Sequence, residues 1–105
     1  MNCSRNDVVL LPIPFSDLSS TKVRPAIVIG HGTSGDDLFL VPITSRLNNG
    51  DFTLRGWQSC GLNVPSAVKG QLATVESQLV RKIVGRLSPE DIKTLNEKLR
   101  EWLEL

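Results

Sequence analysis

Apolar and polar positions alternate along this chain in short blocks, and the blocks predict mostly strands. Asp7 to Phe15 (DVVLLPIPF) is apolar and β-branched, and Pro12 and Pro14 interrupt its second half. Proline donates nothing to a sheet ladder, so the regular strand should stop near Leu11. Ala26 to Ile29 is a wholly apolar run inside Lys22–Gly30 (KVRPAIVIG), the mark of a strand buried on both faces. Pro25 biases Arg24 toward extended backbone, which holds that arginine at the mouth of the strand. After the turn HGTSGDD, with its single His31, comes a third apolar run, Leu38 to Thr44.

Asn48-Asn49-Gly50-Asp51 signals a second turn. Phe52 to Trp57 then alternates as a half-exposed strand should, Gln58 to Pro65 is irregular, and Ser66 to Glu76 reads as a strand bulged at Gly70. A sixth run lies within Gln78–Leu87. The last segment is helical: Ser88 is a natural N-cap, Pro89 suits the first position, and Asp91 stands where a capping-box acid would be. Ile92, Leu95, Leu99, Trp102 and Leu103 make one apolar stripe. About six strands and one amphipathic helix give a mainly β (α+β) chain, a small curled sheet or barrel capped by the helix, in one domain over residues 1–105.

Composition narrows the chemistry. One histidine and no tyrosine remove most general acid–base candidates, and the two cysteines, Cys3 and Cys60, lack metal-ligand spacing and read as buried or idle thiols. No metal cluster or phosphate-cradling glycine loop is present in the sequence, and no apolar run reaches the roughly 20 residues of a membrane span. The N-terminus lacks the order of a signal peptide, so the expected location is cytoplasmic. Net charge is +1, with the acidic excess in the C-terminal helix and a mildly basic body before it. That permits a local phosphate-binding patch.

The polar side chains that could carry chemistry cluster at strand ends: Lys22 and Arg24 before the second strand, Thr44, Ser45 and Arg46 after the third, with Lys69 and Gln71 within the fifth. If the second and third strands form an antiparallel hairpin, Arg24 lies near Thr44 and Arg46 at one rim. Taken singly, each has a plainer reading. Arg24 can pair with Asp17 as a surface cation, Thr44-Ser45 can close a local turn, His31 belongs to a turn, and Arg46, Lys69 and Arg55 can be solvated.

Together, DVVLLPIPFSDLSSTKVRPAIVIG at 7–30, VPITS at 41–45, GLNVPSAVKGQLATVE at 61–76 and VRKIVGRLSPED at 80–91 resemble the MazF/PemK-like toxins of type II toxin–antitoxin systems. The resemblance implies a small SH3-like β-barrel, MazF/PemK/CcdB-like, usually a homodimer, that cleaves single-stranded mRNA without metal or cofactor and is neutralised by an antitoxin. It implies catalytic roles for Arg24 and Thr44, and RNA contacts from Lys22, Pro25, Ser45, Arg46, Lys69 and Gln71. Several family members carry an acid immediately before the glutamine, where this chain has Gly70; either Thr44, a backbone group or a carboxylate such as Glu76 substitutes in proton transfer, or the protein is slow, or it has become a binding module. The alternative is a barrel of this type that binds a protein target such as DNA gyrase through its C-terminal helix instead of cutting RNA.

Overall fold

The computed structural model describes residues 2–12 and 22–105. Among the described residues seven strands precede one α-helix: β1 (Asp7–Pro12), β2 (Val23–His31), β3 (Asp37–Thr44), β4 (Phe52–Thr53), β5 (Ala67–Val68), β6 (Ala73–Glu76), β7 (Lys82–Arg86) and α1 (Pro89–Leu103). Residues 13–21, which include Asp17 and most of the polar loop ahead of β2, lie outside the described residues.

All the pairings are antiparallel, and the order across the sheet is β4-β5-β3-β2-β1-β7. The third strand is shared along its length, with β6 pairing its first half (Asp37↔Glu76 to Leu40↔Ala73) and β5 its end (Ile43↔Val68, Thr44↔Ala67). The fold is therefore mainly β with one C-terminal helix, as expected, but the sheet is not closed into a barrel, because β4 and β7 remain as its two edges among the described residues.

The three central strands are buried on both faces, as their apolar runs required. Val8, Ile27, Val41 and Ile43 point into one cluster with Leu54, Cys60, Leu95 and Leu99. Their neighbours Val9, Leu11, Ala26, Val28, Leu38 and Leu40 point into a second cluster with Cys3 and Val80. A period of two delivers successive residues to opposite faces. The helix covers the first cluster through Leu95 and Leu99, with Ile92 and Trp102 packed beside them, while Leu103 stays 47% exposed.

Four local expectations are corrected. The strand expected over Phe52–Trp57 ends at Thr53, since the carboxylate of Asp91 accepts the N–H groups of Arg55 and Gly56 at 2.9 Å each and draws the chain off the sheet. The Ser66–Glu76 run is two strands that pair with opposite halves of β3, broken where the Gly70 N–H donates to Oδ2 of Asp51 at 2.6 Å. The run at Gln78–Leu87 begins instead with a 3-10 turn over Ser77–Leu79 and forms a strand only from Lys82. His31 does not sit in the turn; it ends β2, and its Nε2 lies 2.8 Å from the Cys3 carbonyl oxygen, holding the N-terminal segment.

The helix N-terminus shows a division of labour that the sequence pattern did not separate. Ser88 Oγ accepts the Asp91 N–H at 3.2 Å, the expected cap. The Asp91 side chain, only 1% exposed, does not reach back to Ser88 as a capping-box acid would; it is spent on Arg55 and Gly56.

Candidate functional site

A cleft of about 950 Å³ opens where β1 ends, β2 begins and β3 ends. The antiparallel register explains the convergence. Ala26 lies opposite Pro42 in the β2–β3 pair, so two residues further along the same register Arg24 comes beside Thr44. Both line the cleft, together with Lys22, Pro25, Ser45 and Arg46. Lys69 joins them from the other side of β3, its N–H donating to the Pro42 carbonyl oxygen at 3.0 Å.

The Thr44–Arg46 corner is ordered by its own hydroxyl. Thr44 Oγ1 accepts the backbone N–H of Arg46 at 3.1 Å. This is the local turn that Thr-Ser pairs favour, and it leaves the hydroxyl proton free for an outside acceptor. The structural and the chemical readings of Thr44 therefore coexist.

Charge in the cleft is of one sign. Lys22, Arg24, Arg46, Lys69 and Lys82 line it, and no Asp or Glu does so among the described residues. The ion pairs Arg86–Asp7 and Lys98–Glu101 lie outside the cleft. Like charges gathered in a concave, partly apolar space concentrate positive potential and favour a polyanion.

The second wall comes from the segment that the sequence left as irregular. Gly61, Leu62, Asn63, Val64 and Ser66 line the cleft together with Arg24. The chain leading into this segment is fixed at two points. Asp91 holds Arg55 and Gly56, and Gly61, where the wall begins, has φ of 92° and lies so close to β7 that a Cβ there would stand 2.2 Å from the Val84 carbonyl oxygen. Only glycine meets both conditions.

Seven of the eight residues expected at the site are thus gathered: Lys22, Arg24, Pro25, Thr44, Ser45, Arg46 and Lys69. Gln71 is not among the lining residues, because it falls in the connection between β5 and β6, past the break at Gly70. Glu76, the alternative carboxylate, pairs with Asp37 at the opposite end of β3. Seven residues of strand separate Asp37 from Thr44, roughly 23 Å at strand rise. Sequence reasoning missed Asn49, Asn63, Ser66 and Lys82, which carry no local signal and reach the cleft only through tertiary packing.

The position before Gln71 has a steric explanation. A Cβ on Gly70 would lie 2.8 Å from Cε2 of Trp102 and 3.1 Å from Oδ2 of Asp51. The indole of α1 occupies the room that an acidic side chain would take. The cysteines are both buried and unpaired to each other. Burial raises the pKa of each thiol above its ordinary value, helped by the charge of Asp7 near Cys3 and of Asp91 near Cys60.

Comparison with known proteins bears on this arrangement. A family described as the PemK-like, MazF-like toxin of type II toxin–antitoxin systems matches residues 4–103. No curated protein matches significantly. Among solved structures, an endoribonuclease in complex with its cognate antitoxin, from Mycobacterial species, superposes with a TM-score of 0.71. It is 18% identical, and the alignment covers 100% of this chain and 97% of that one. At that identity the likeness concerns the fold. No helix among the described residues is long and apolar enough to cross a membrane.

Proposed function

Because the chain belongs to the PemK-like, MazF-like toxin family of type II toxin–antitoxin systems, we propose that it is a toxin endoribonuclease that cuts single-stranded mRNA in the basic cleft. The observation that carries this reading is the shared rim of Arg24 and Thr44 in a cleft lined by five cations and, among the described residues, no carboxylate.

The chemistry needs no nucleophile from the protein. The substrate 2′-oxygen attacks the adjacent phosphorus, the 2′-O–P bond forms, and the bond from phosphorus to the 5′-oxygen of the next nucleotide breaks. The products are a 2′,3′-cyclic phosphate and a 5′-hydroxyl. The proton of the attacking hydroxyl leaves to solvent or a polar group of the cleft, and the departing 5′-oxygen takes one up.

The difficult species is the crowded, negatively charged phosphorane. Arg24, planar and permanently charged, offers two parallel donors to its oxygens. Thr44 is preset by its bond from the Arg46 N–H to donate its hydroxyl proton to a phosphate oxygen. Ser45 and Arg46 add donors on the same corner, and Lys22 and Lys69 attract the strand. Pro25 contributes rigidity by fixing the backbone beside Arg24. Gln71, displaced from the cleft, is assigned no contact with the reacting phosphate.

The same reading supplies the partners. The active form is a homodimer in the cytoplasm, and a cognate antitoxin silences it by laying acidic side chains over the basic rim. Incubation of the purified protein with mixed-sequence RNA in EDTA tests the proposal: fragments ending in cyclic phosphate are expected from the wild type and not from Arg24→Ala. Absence of cleavage by the wild type, or equal cleavage by the variant, overturns it. Growth arrest that survives Arg24→Ala would favour a toxin that binds a protein target instead.

A further inference from the structure

Lys82 is exposed and opens the edge strand β7, where a lysine ordinarily serves to discourage edge pairing. Its position gives it a second use. Leu10 of β1 pairs with Lys82 on one side and with Pro25 on the other, so Lys82, Leu10 and Pro25 form one row across three strands. Two strand spacings, roughly 10 Å, separate Lys82 from the backbone beside Arg24.

The close approach of Gly61 to the Val84 carbonyl seats the Gly61–Val64 wall directly against β7, two residues from Lys82. The lysine therefore lies at the edge of a walled cleft and not on open sheet. Among the described residues no ion pair engages it. A volume of about 950 Å³ far exceeds a single phosphate group and stands at the upper end of small-molecule pockets.

Resting on the reading that this cleft takes RNA, we propose that Lys82 is a second phosphate-binding residue, holding a phosphate that flanks the scissile one. The strand then runs from the β7 edge, along the Gly61–Val64 wall, to the Arg24–Thr44 rim. Lys82 is a binding residue and touches no reacting atom. Its contact exists only for substrates long enough to present a second phosphate.

Substrate length supplies the test. Lys82→Gln and Lys82→Arg are compared with wild type on a dinucleotide, which has one phosphate, and on an octanucleotide of mixed sequence. For the octanucleotide, Lys82→Gln should raise KM about tenfold with kcat retained, and Lys82→Arg should restore it; the dinucleotide should show no difference. Binding of a 2′-O-methyl octanucleotide, which cannot be cut, should lose about 0.7 from its salt slope in Lys82→Gln, the share of one phosphate contact on a single strand. An unchanged octanucleotide KM and salt slope, or an equal loss on the dinucleotide, overturns the assignment. If the wild type cuts nothing yet binds the octanucleotide with this Lys82 dependence, the second subsite stands and the cleavage reading falls.

Discussion

The indole of Trp102 lies against the backbone of Gly70, so close that a Cβ on the glycine would meet Cε2 at 2.8 Å. This contact ties the last turn of the helix to the connection that carries Lys69 into the cleft. It also accounts for the missing acid before Gln71, since the helix fills that space.

Gly70→Asp should therefore not restore a family-like carboxylate but destabilise the protein. Overpacking of this kind costs about 1–3 kcal/mol, and the new carboxylate would also stand beside Asp51. The expected result is a clear fall in melting temperature with no gain in cleavage rate. Combining it with Trp102→Ala should recover part of the lost stability.

Asp91 holds the loop that forms the second wall. Its carboxylate accepts two backbone N–H groups at 2.9 Å while being 1% exposed. Asp91→Ala strands both donors and should cost roughly 2–4 kcal/mol. Chemical denaturation measures the loss, and proteolysis should then begin between Arg55 and Leu62. Asp91→Asn, which can satisfy only part of this pattern, should fall between.

At the reacting rim, Arg24→Lys tests geometry against charge. A lysine keeps the positive charge and loses the paired donors, so kcat should still fall on the order of 10²-fold, with RNA affinity little changed. Thr44→Val removes the hydroxyl and frees the Arg46 N–H; a loss of similar size is expected, without the loss of affinity that removing Lys69 would cause. Single-turnover cleavage and binding of an uncleavable RNA separate the two effects.

The buried thiols make a pH prediction. Cys60 has its pKa raised above 9.0 by burial first and by Asp91 second. Well below pH 9.0 the thiol is protonated folded or unfolded, and its contribution to stability is complete. As pH rises past that value the unfolded chain loses its proton first, so stability should decline. Denaturant midpoints at pH 8 and 10 should show the drop, and Cys60→Ala should reduce it. A disulfide reagent at pH 8 should react slowly with the native protein and fast after unfolding.

Sequence by itself determined the elements with strong local rules. The β-branched runs of β1, β2 and β3 required strands buried on both faces, and Ser88-Pro89 with the Ile92–Trp102 stripe required the helix. Arg24 before Pro25, and the hairpin between β2 and β3, were enough to bring Arg24 to the same rim as Thr44, while a bulge between Val28 and Gly30 sets the final register that puts the two side by side. Tertiary structure decided the rest. Phe52–Trp57 alternates like a strand, yet a carboxylate 35 residues away in sequence takes the N–H of Gly56 and ends it. Gly70 looks like a bulge, but the helix and Asp51 make it a break that carries Gln71 away from the cleft. Lys82 carries no local mark of function; only the pairing of one strand with two neighbours, and a glycine set against Val84, place it in the cleft wall. Periodicity reports the face a residue presents, whereas a site is made by segments distant in sequence, and their meeting depends on contacts that no local pattern encodes.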